Sequence, residues 1–124
     1  MSRNATIMDK LNLILESIDQ IEEYSKRIEK PNDFLLSPGG VLRLDACVMR
    51  FQVIGESVRS LLTIDNTPLL EHNEIPWRKI VGLRNLISHE YMSVDEVLIY
   101  NIIKDDLPLL RKAVEEIISE YKSR

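Results

Sequence analysis

Hydrophobic residues recur at intervals of three and four along most of the chain, and this spacing places them on one side of an α-helix. The first stripe predicts a helix over about residues 6–30, ending before Pro31-Asn32. A predicted linker with Phe34 and Pro38-Gly39-Gly40 follows, and a second stripe from Val41 to Leu62 predicts a second helix. The first stripe consists of Ile7, Leu11, Ile14, Ile18, Ile21 and Ile28.

The second half of the chain predicts a turn and three further helices. Residues 65–68, Asp-Asn-Thr-Pro, have the composition of a tight turn. Pro76 suits the first turn of a third helix that reaches about residue 91, and Ser93 with Glu96 predicts a capping box for a fourth helix ending near residue 106. Pro108 opens a fifth helix. Its predicted buried side is Leu109, Leu110, Val114, Ile117, Ile118 and Tyr121.

Five amphipathic segments, with no strand-like alternation in the sequence, define the expected fold class. A single amphipathic helix cannot bury its apolar side alone, so several such helices pack against one another. We therefore predict an all-α protein: an antiparallel helical bundle of four to five helices, in a single domain over residues 1–124.

Composition and charge limit the binding partners and the cellular location that we expect for this bundle. The formal net charge of −4 gives no overall attraction to a polyanion, so any nucleic-acid contact must come from a local basic patch. The single cysteine, Cys47, lies in an apolar stripe, which favours a small buried hydrophobe over a nucleophile. With no long apolar stretch and no signal-peptide core at the start, we expect a cytoplasmic protein outside the membrane.

The third predicted helix carries the residues best suited to catalysis. Asn85 and His89 are four residues apart, about 40° around a helix, and so share one side. Arg84 is about 140° from His89. It reaches the same point if its side chain wraps, if the helix end bends, or if a second copy of the chain contributes its own Arg84 or His89. We favour a site shared between two copies.

These residue types suit cleavage of a phosphodiester. An imidazole with a pKa near its usual value of about 6.5 exchanges protons at neutral pH, and a guanidinium offers a fixed fork of donors to phosphate oxygens. In RNA the neighbouring 2′-hydroxyl would attack, so no metal is required. Each residue also has a structural interpretation: His89 as an ordinary helix residue, Arg84 as an ion-pair partner of Glu56 or Glu90, and Tyr91 as an amphipathic core residue.

The segment from Ile75 to Tyr91, Ile-Pro-Trp-Arg-Lys-Ile-Val-Gly-Leu-Arg-Asn-Leu-Ile-Ser-His-Glu-Tyr, resembles the signature of HepT-like proteins, a branch of the HEPN ribonucleases. That signature is Arg, four residues, His, one residue and Tyr, and Arg84, His89 and Tyr91 match it. The likeness extends over nearly the whole chain. It includes the helix at residues 11–24, the Phe34 linker and Gly55-Glu56-Ser57.

The resemblance implies a HEPN-like bundle and a homodimer, or a higher assembly, in which two Arg-x4-His motifs meet at a cleft and cleave RNA without metal or other cofactor. Arg84 and His89 would be catalytic, with Asn85 supporting them. The resemblance also implies a toxin–antitoxin pair, in which a nucleotidyltransferase antitoxin neutralises the toxin by transferring AMP to Tyr91. The alternative is a non-catalytic helical dimer that binds the nucleotidyltransferase or RNA. His72, in a polar loop, is expected to be solvated.

Overall fold

The computed structural model describes the backbone of residues 2–89 and 94–123, and the side chains of residues 2–83 and 94–123. Within these ranges the protein contains helices and no strand, which confirms the predicted all-α fold class. The helices are α1 (Arg3–Ser25), α2 (Pro38–Leu62), α3 (Trp77–His89), α4 (Glu96–Asn101) and α5 (Leu107–Lys122).

Helix α1 begins and ends earlier than the predicted span of residues 6–30. Its start is set by Ser2, whose Oγ accepts a hydrogen bond from the Ala5 amide at 3.1 Å and so caps the first turn. At the other end, Asp33 Oδ2 accepts hydrogen bonds from the amides of Glu29 and Lys30 at 2.9 and 3.2 Å. Because these amides bond to a side chain beyond the helix, they cannot extend it.

The predicted linker between the first two helices is largely helical. Pro31–Leu35 forms a 3₁₀ turn in which Phe34 is fully buried. The assignment of Pro38-Gly39-Gly40 to the linker was wrong, since these residues form the first turn of α2. Ser37 Oγ accepts a hydrogen bond from the Gly40 amide at 3.0 Å, and proline is well suited to this first turn. Val41, predicted to be buried, is 41% exposed.

Helices α1 and α2 are antiparallel neighbours. Arg43 Nη1 donates a hydrogen bond to the Tyr24 carbonyl, and Arg50 Nη1 donates one to Gln20 Oε1, both at 3.1 Å. Residue numbers therefore rise along α2 as they fall along α1. The apolar sides of both helices face the core, as their spacing predicts. The fully buried side chains include Ile7, Leu11, Ile14, Ile18, Ile21, Cys47, Val58 and Leu61.

Helices α4 and α5 are joined by a π-helical turn, Ile102–Asp106, where the sequence predicted a break between two helices. The Leu107 amide donates to the Ile102 carbonyl, five residues earlier. Pro108 has no N–H and would interrupt an α-helical ladder, so a locally wider turn accommodates it without ending the helix. Helices α4 and α5 thus form one continuous helical segment, and the described residues form four main helical segments. Leu109, predicted to be buried, is 60% exposed, whereas Leu110 packs in the core.

Helix α4 is capped by Asp95, so the predicted capping box of Ser93 and Glu96 was wrong. Asp95 Oδ1 accepts hydrogen bonds from the amides of Val97 and Leu98, at 2.9 and 3.3 Å. This satisfies two of the donors that a helix start leaves without a backbone partner. Ser93 lies outside the described residues.

Helix α5 packs on α1 and completes the bundle. Arg111 Nη2 lies 2.5 Å from Asp19 Oδ1 and 2.6 Å from Glu22 Oε1, both on α1. The core side of α5 includes Val114, Ile117 and Tyr121. Of the helices in residues 2–89 and 94–123, none has both the length and the hydrophobicity needed to span a bilayer.

Candidate functional site

The direction of α3, which carries the predicted site, is set at its first residue. Trp77 is buried, and its Nε1 donates hydrogen bonds to the carbonyls of Leu69 and His72 at 2.8 and 3.1 Å. Both carbonyls belong to the segment just before the helix, which includes the 3₁₀ turn Pro68–Glu71. The indole therefore holds the start of α3 against the chain that leads into it.

Three of the four predicted site residues belong to helix α3. The described part of α3 includes Arg84 and Asn85 and extends to His89, which agrees with the predicted helix over this segment. Positions 85 and 89 are about 40° apart around this helix, and positions 84 and 89 about 140°. The side chains of residues 84–89 and all of Tyr91 lie outside what the structure describes, so their contacts stay predictions.

The first turn of α3 is basic. Arg78 and Lys79 are exposed, and the turn contains no acidic residue. Neither cation forms an ion pair with a side chain in residues 2–83 or 94–123. The positive end of the helix dipole lies at the same place, so three positive contributions coincide. A chain with a net charge of −4 therefore has a local basic patch beside its candidate site.

His72 is buried, which overturns the expectation that it is solvated. Only 8% of the residue is exposed. Its Nε2 lies 3.1 Å from Glu120 Oε1 on α5, and its Nδ1 lies 3.4 Å from Glu74 Oε2 and 3.7 Å from Glu116 Oε2. The ring thus joins the segment before α3 to the C-terminal half of α5.

The surrounding carboxylates favour the charged form of this imidazole. Burial of the ring acts to lower the pKa of His72. The hydrogen bonds to Glu120 and Glu74, together with their negative charge, act in the opposite direction and leave the pKa above its usual value. No local pattern predicts this group, since Glu116 and Glu120 are more than 40 residues from His72 along the chain.

Cys47 is fully buried between α1 and α2, as its apolar setting predicts. Burial raises the pKa of its thiol to about 12, and the positive charge of Arg43 offsets this only in part. The reactive form of a cysteine is the thiolate. Cys47 therefore serves as a packing residue. Within the described ranges, no group of three or more His, Cys, Asp or Glu residues has an arrangement that could hold a metal ion.

Comparison with known proteins gives a consistent result. Residues 14–117 match the family described as Ribonuclease HepT-like. A relative from Methanocaldococcus jannaschii, provisionally named an RNase, is 34% identical over 102 residues, which cover 82% of this chain and 87% of the relative. A Thermococcus cleftensis protein, provisionally named ribonuclease HepT, is 31% identical over 109 residues, 88% of this chain and 93% of the relative. No solved structure matches the chain.

A second protein of M. jannaschii is longer than this chain. It is named a gamma-glutamylcyclotransferase and, provisionally, an RNase. It is 34% identical over 110 residues, which cover 89% of this chain but 46% of the relative, so the chain spans about half of that protein. The family match covers most of the sequence and includes α3 with its Arg84, Asn85 and His89 positions, and the chain therefore belongs to the HepT-like ribonuclease family.

Proposed function

We propose that this protein is an endoribonuclease that cleaves RNA without a metal ion, at a site shared by two copies of the chain. The observation that carries the proposal is the family match over residues 14–117, which includes helix α3 with the positions of Arg84 and His89. The exposed Arg78 and Lys79 support it, because they supply the local positive charge that a chain of net charge −4 needs to approach RNA.

His89 would exchange the protons of the reaction. The imidazole removes the proton of the 2′-hydroxyl as the 2′-oxygen forms a bond to the adjacent phosphorus. The bond between phosphorus and the 5′-oxygen of the next nucleotide breaks, and a proton passes to that departing oxygen from the imidazolium or from water. The products are a 2′,3′-cyclic phosphate and a free 5′-hydroxyl. A histidine suits both proton transfers because its usual pKa lies near neutral pH.

Arg84 would hold the phosphate during this displacement. Its guanidinium stays protonated and offers parallel N–H donors to two phosphate oxygens, where negative charge increases in the transition state. Because positions 84 and 89 are about 140° apart on α3, one copy reaches both sides of a phosphate poorly. A dimer that brings Arg84 of one copy to His89 of the other removes this difficulty, and Asn85, on the same side as His89, would orient the substrate.

Cleavage by purified protein in excess chelator tests this proposal. The wild type should cut RNA, whereas His89→Ala and Arg84→Ala should each reduce the rate by at least about 100-fold. Lys112→Ala is the matched control, since it removes an exposed cation from α5, away from α3. Equal cleavage by all variants would identify a contaminating nuclease. Loss of wild-type cleavage in chelator, restored by a divalent ion, would contradict the metal-independent mechanism.

We also propose that the protein is the toxin of a toxin–antitoxin pair and that a nucleotidyltransferase antitoxin adenylylates Tyr91. The Tyr91 oxygen would attack the α-phosphorus of ATP, form a phosphodiester with AMP and release pyrophosphate. The added phosphate brings negative charge and bulk to a position two residues from His89, where it would compete with RNA phosphate. This mechanism predicts a mass gain of one or more AMP units on co-expression with the antitoxin, absent in Tyr91→Phe. An unchanged wild-type mass would rule it out.

A non-catalytic dimer that binds the nucleotidyltransferase or RNA is the second candidate. The net charge of −4 favours it, because a negatively charged chain has no overall attraction to the long RNA that a ribonuclease must bind. In that case His89→Ala should leave both partner binding and the effect on cell growth unchanged. If the ribonuclease proposal holds, His89→Ala should still bind the partner but should no longer slow growth.

A further inference from the structure

Gly82 lies in the middle of α3, on its exposed side, and no residue that the structure describes explains why this position is glycine. A Cβ atom built there would meet no described atom within 4 Å. The backbone φ of Gly82 is not positive, so the conformation does not require glycine either. Glycine is less favourable than alanine in a helix interior. The missing side chain therefore points to something outside the described fold that approaches this side of α3.

Helix register connects Gly82 to the predicted catalytic position. Residues 78, 82, 85 and 89 are separated by steps of four, three and four, which place them within about 60° on one side of α3. We call this side the α3 face. It runs over about three helical turns from the exposed Arg78 at its start, past Gly82, to position 89 at its end.

The charges in the first turn of α3, at and beside the start of the α3 face, favour an anion. Arg78 and Lys79 occupy the first turn, where the helix dipole makes a cation unfavourable. In the described part of the chain no carboxylate compensates them with an ion pair. A bound phosphate would reverse this unfavourable term, because it would interact with two side-chain cations and the positive end of the helix together.

We propose that the α3 face holds the RNA strand that flanks the cleaved phosphate. Arg78 binds a phosphate about three helical turns from His89, and the absence of a side chain at Gly82 lets the sugar–phosphate backbone lie against the helix between them. This inference rests on the proposed ribonuclease function and adds two residues outside the Arg84 and His89 motif. A second copy whose α3 runs parallel to this one is a less suitable occupant, because two-fold pairing at Gly82 would then bring the two Arg78 side chains towards each other.

RNA binding by variants in a His89→Ala background, where the RNA stays intact, tests this inference. Gly82→Ala should weaken binding about three- to tenfold through steric exclusion. It should also raise the melting temperature by about 2–4 °C, so the loss of binding cannot be attributed to misfolding. The matched control is Gly39→Ala, an exposed glycine in the first turn of α2 whose added Cβ would meet only Ser37 Oγ, at 3.8 Å. It should leave the affinity unchanged.

Arg78→Gln should weaken binding about tenfold and should reduce the slope of log affinity against log salt by about 0.7. Lys112→Gln, the same charge change on α5, should affect neither quantity beyond the small effect of net charge. In the wild-type background, Gly82→Ala and Arg78→Gln should each raise KM for RNA cleavage more than they lower kcat. The reason is that residues 78 and 82 would contact the substrate away from the reacting phosphate.

The outcomes separate this inference from the function on which it rests. If the wild type neither cleaves RNA in a His89-dependent way nor binds it, the proposed function fails, and this inference fails with it. If the wild type cleaves RNA but Gly82→Ala and Arg78→Gln bind like their controls, this inference alone is overturned. A change of oligomeric state in Gly82→Ala, measured by sedimentation, with unchanged RNA affinity would assign the α3 face to a second copy and would likewise overturn it.

Discussion

Gly40 lies where α2 packs closely against the 3₁₀ turn that precedes it. A Cβ atom there would come within 2.7 Å of the Asp33 carbonyl oxygen and 2.8 Å of the Phe34 carbonyl oxygen. Both are backbone atoms, which cannot rotate away as the end of a side chain can. Gly40→Ala should therefore lower the free energy of unfolding by about 1–3 kcal/mol, although alanine is the better helix former.

Urea denaturation of Gly40→Ala and Gly39→Ala measures this effect with a neighbouring control. Gly39 lies in the same helical turn, and its added Cβ would make only an ordinary van der Waals contact, with Ser37 Oγ at 3.8 Å. Gly39→Ala should be as stable as the wild type or slightly more stable. If the two variants lost stability equally, the close packing of α2 on the 3₁₀ turn would be incorrect.

Residue burial was predictable where neighbours in sequence decide it. The burial of Cys47 follows from the apolar stripe around it, and the structure confirms it. The pattern did not separate Leu109 from Leu110, since adjacent residues differ by only about 100° around a helix and the limits of the buried side depend on tertiary packing. The prediction that His72 is solvated failed for a different reason. Its three carboxylate neighbours include Glu116 and Glu120, which only the folded bundle brings close.

At the scale of elements, His72 holds the segment before α3 against α5, and this contact should depend on pH. The charged groups facing the ring are Glu74 on its own segment and Glu116 and Glu120 on α5. Because the folded protein raises the pKa of His72, the contact contributes its full stability below the unfolded pKa. That contribution is lost as pH rises through the folded pKa. It should be on the order of 0.5–1 kcal/mol, since the carboxylates are half exposed and screened.

Unfolding free energies at several pH values from 5 to 8 check this contact, with His72→Gln as the comparison. The wild type should lose more stability than His72→Gln as pH rises across this interval, and added salt should reduce the difference. An identical pH dependence in the two proteins would mean that His72 does not form this ion-pair contact in solution.

Local hydrogen bonding explains which element boundaries the sequence predicted and which it did not. The end of α2 at Leu62 follows directly from the periodicity and the turn sequence after it. The end of α1 does not, because Asp33 redirects the amides of Glu29 and Lys30, and periodicity carries no information on that contact. The π-helical turn before Pro108 was missed because proline is ordinarily taken to start a new helix, not to be accommodated in a continuing one.

At the scale of the whole molecule, five amphipathic segments and the absence of strand patterns were sufficient to predict an all-α bundle. The candidate site was predictable only in part. Helical spacing located positions 84, 85 and 89 on one helix, and α3 contains all three. The reach of the Arg84 and His89 side chains, and how two chains would pair, depend on contacts between molecules, which periodicity within one chain does not encode.

Charge distribution connects the whole molecule to its proposed substrate. The net charge is −4, but it is spread unevenly: α1 carries five acidic side chains against two basic ones, whereas the first turn of α3 carries Arg78 and Lys79 and no acidic residue. A separation of this kind can orient an approaching polyanion towards α3 even though the total charge is unfavourable. Cleavage should therefore slow markedly as salt concentration rises.

A mixed dimer of Arg84→Ala and His89→Ala chains tests the central claim, a phosphate site shared by two copies, most directly. Each variant chain carries a different affinity tag, and the mixed dimer is purified through both tags in sequence. If Arg84 of one copy acts with His89 of the other, the mixed dimer contains one intact site and should recover about half of the wild-type cleavage rate, while each variant alone is inactive. A mixed dimer as inactive as either variant, beside an active wild type, would contradict a site shared between the two chains.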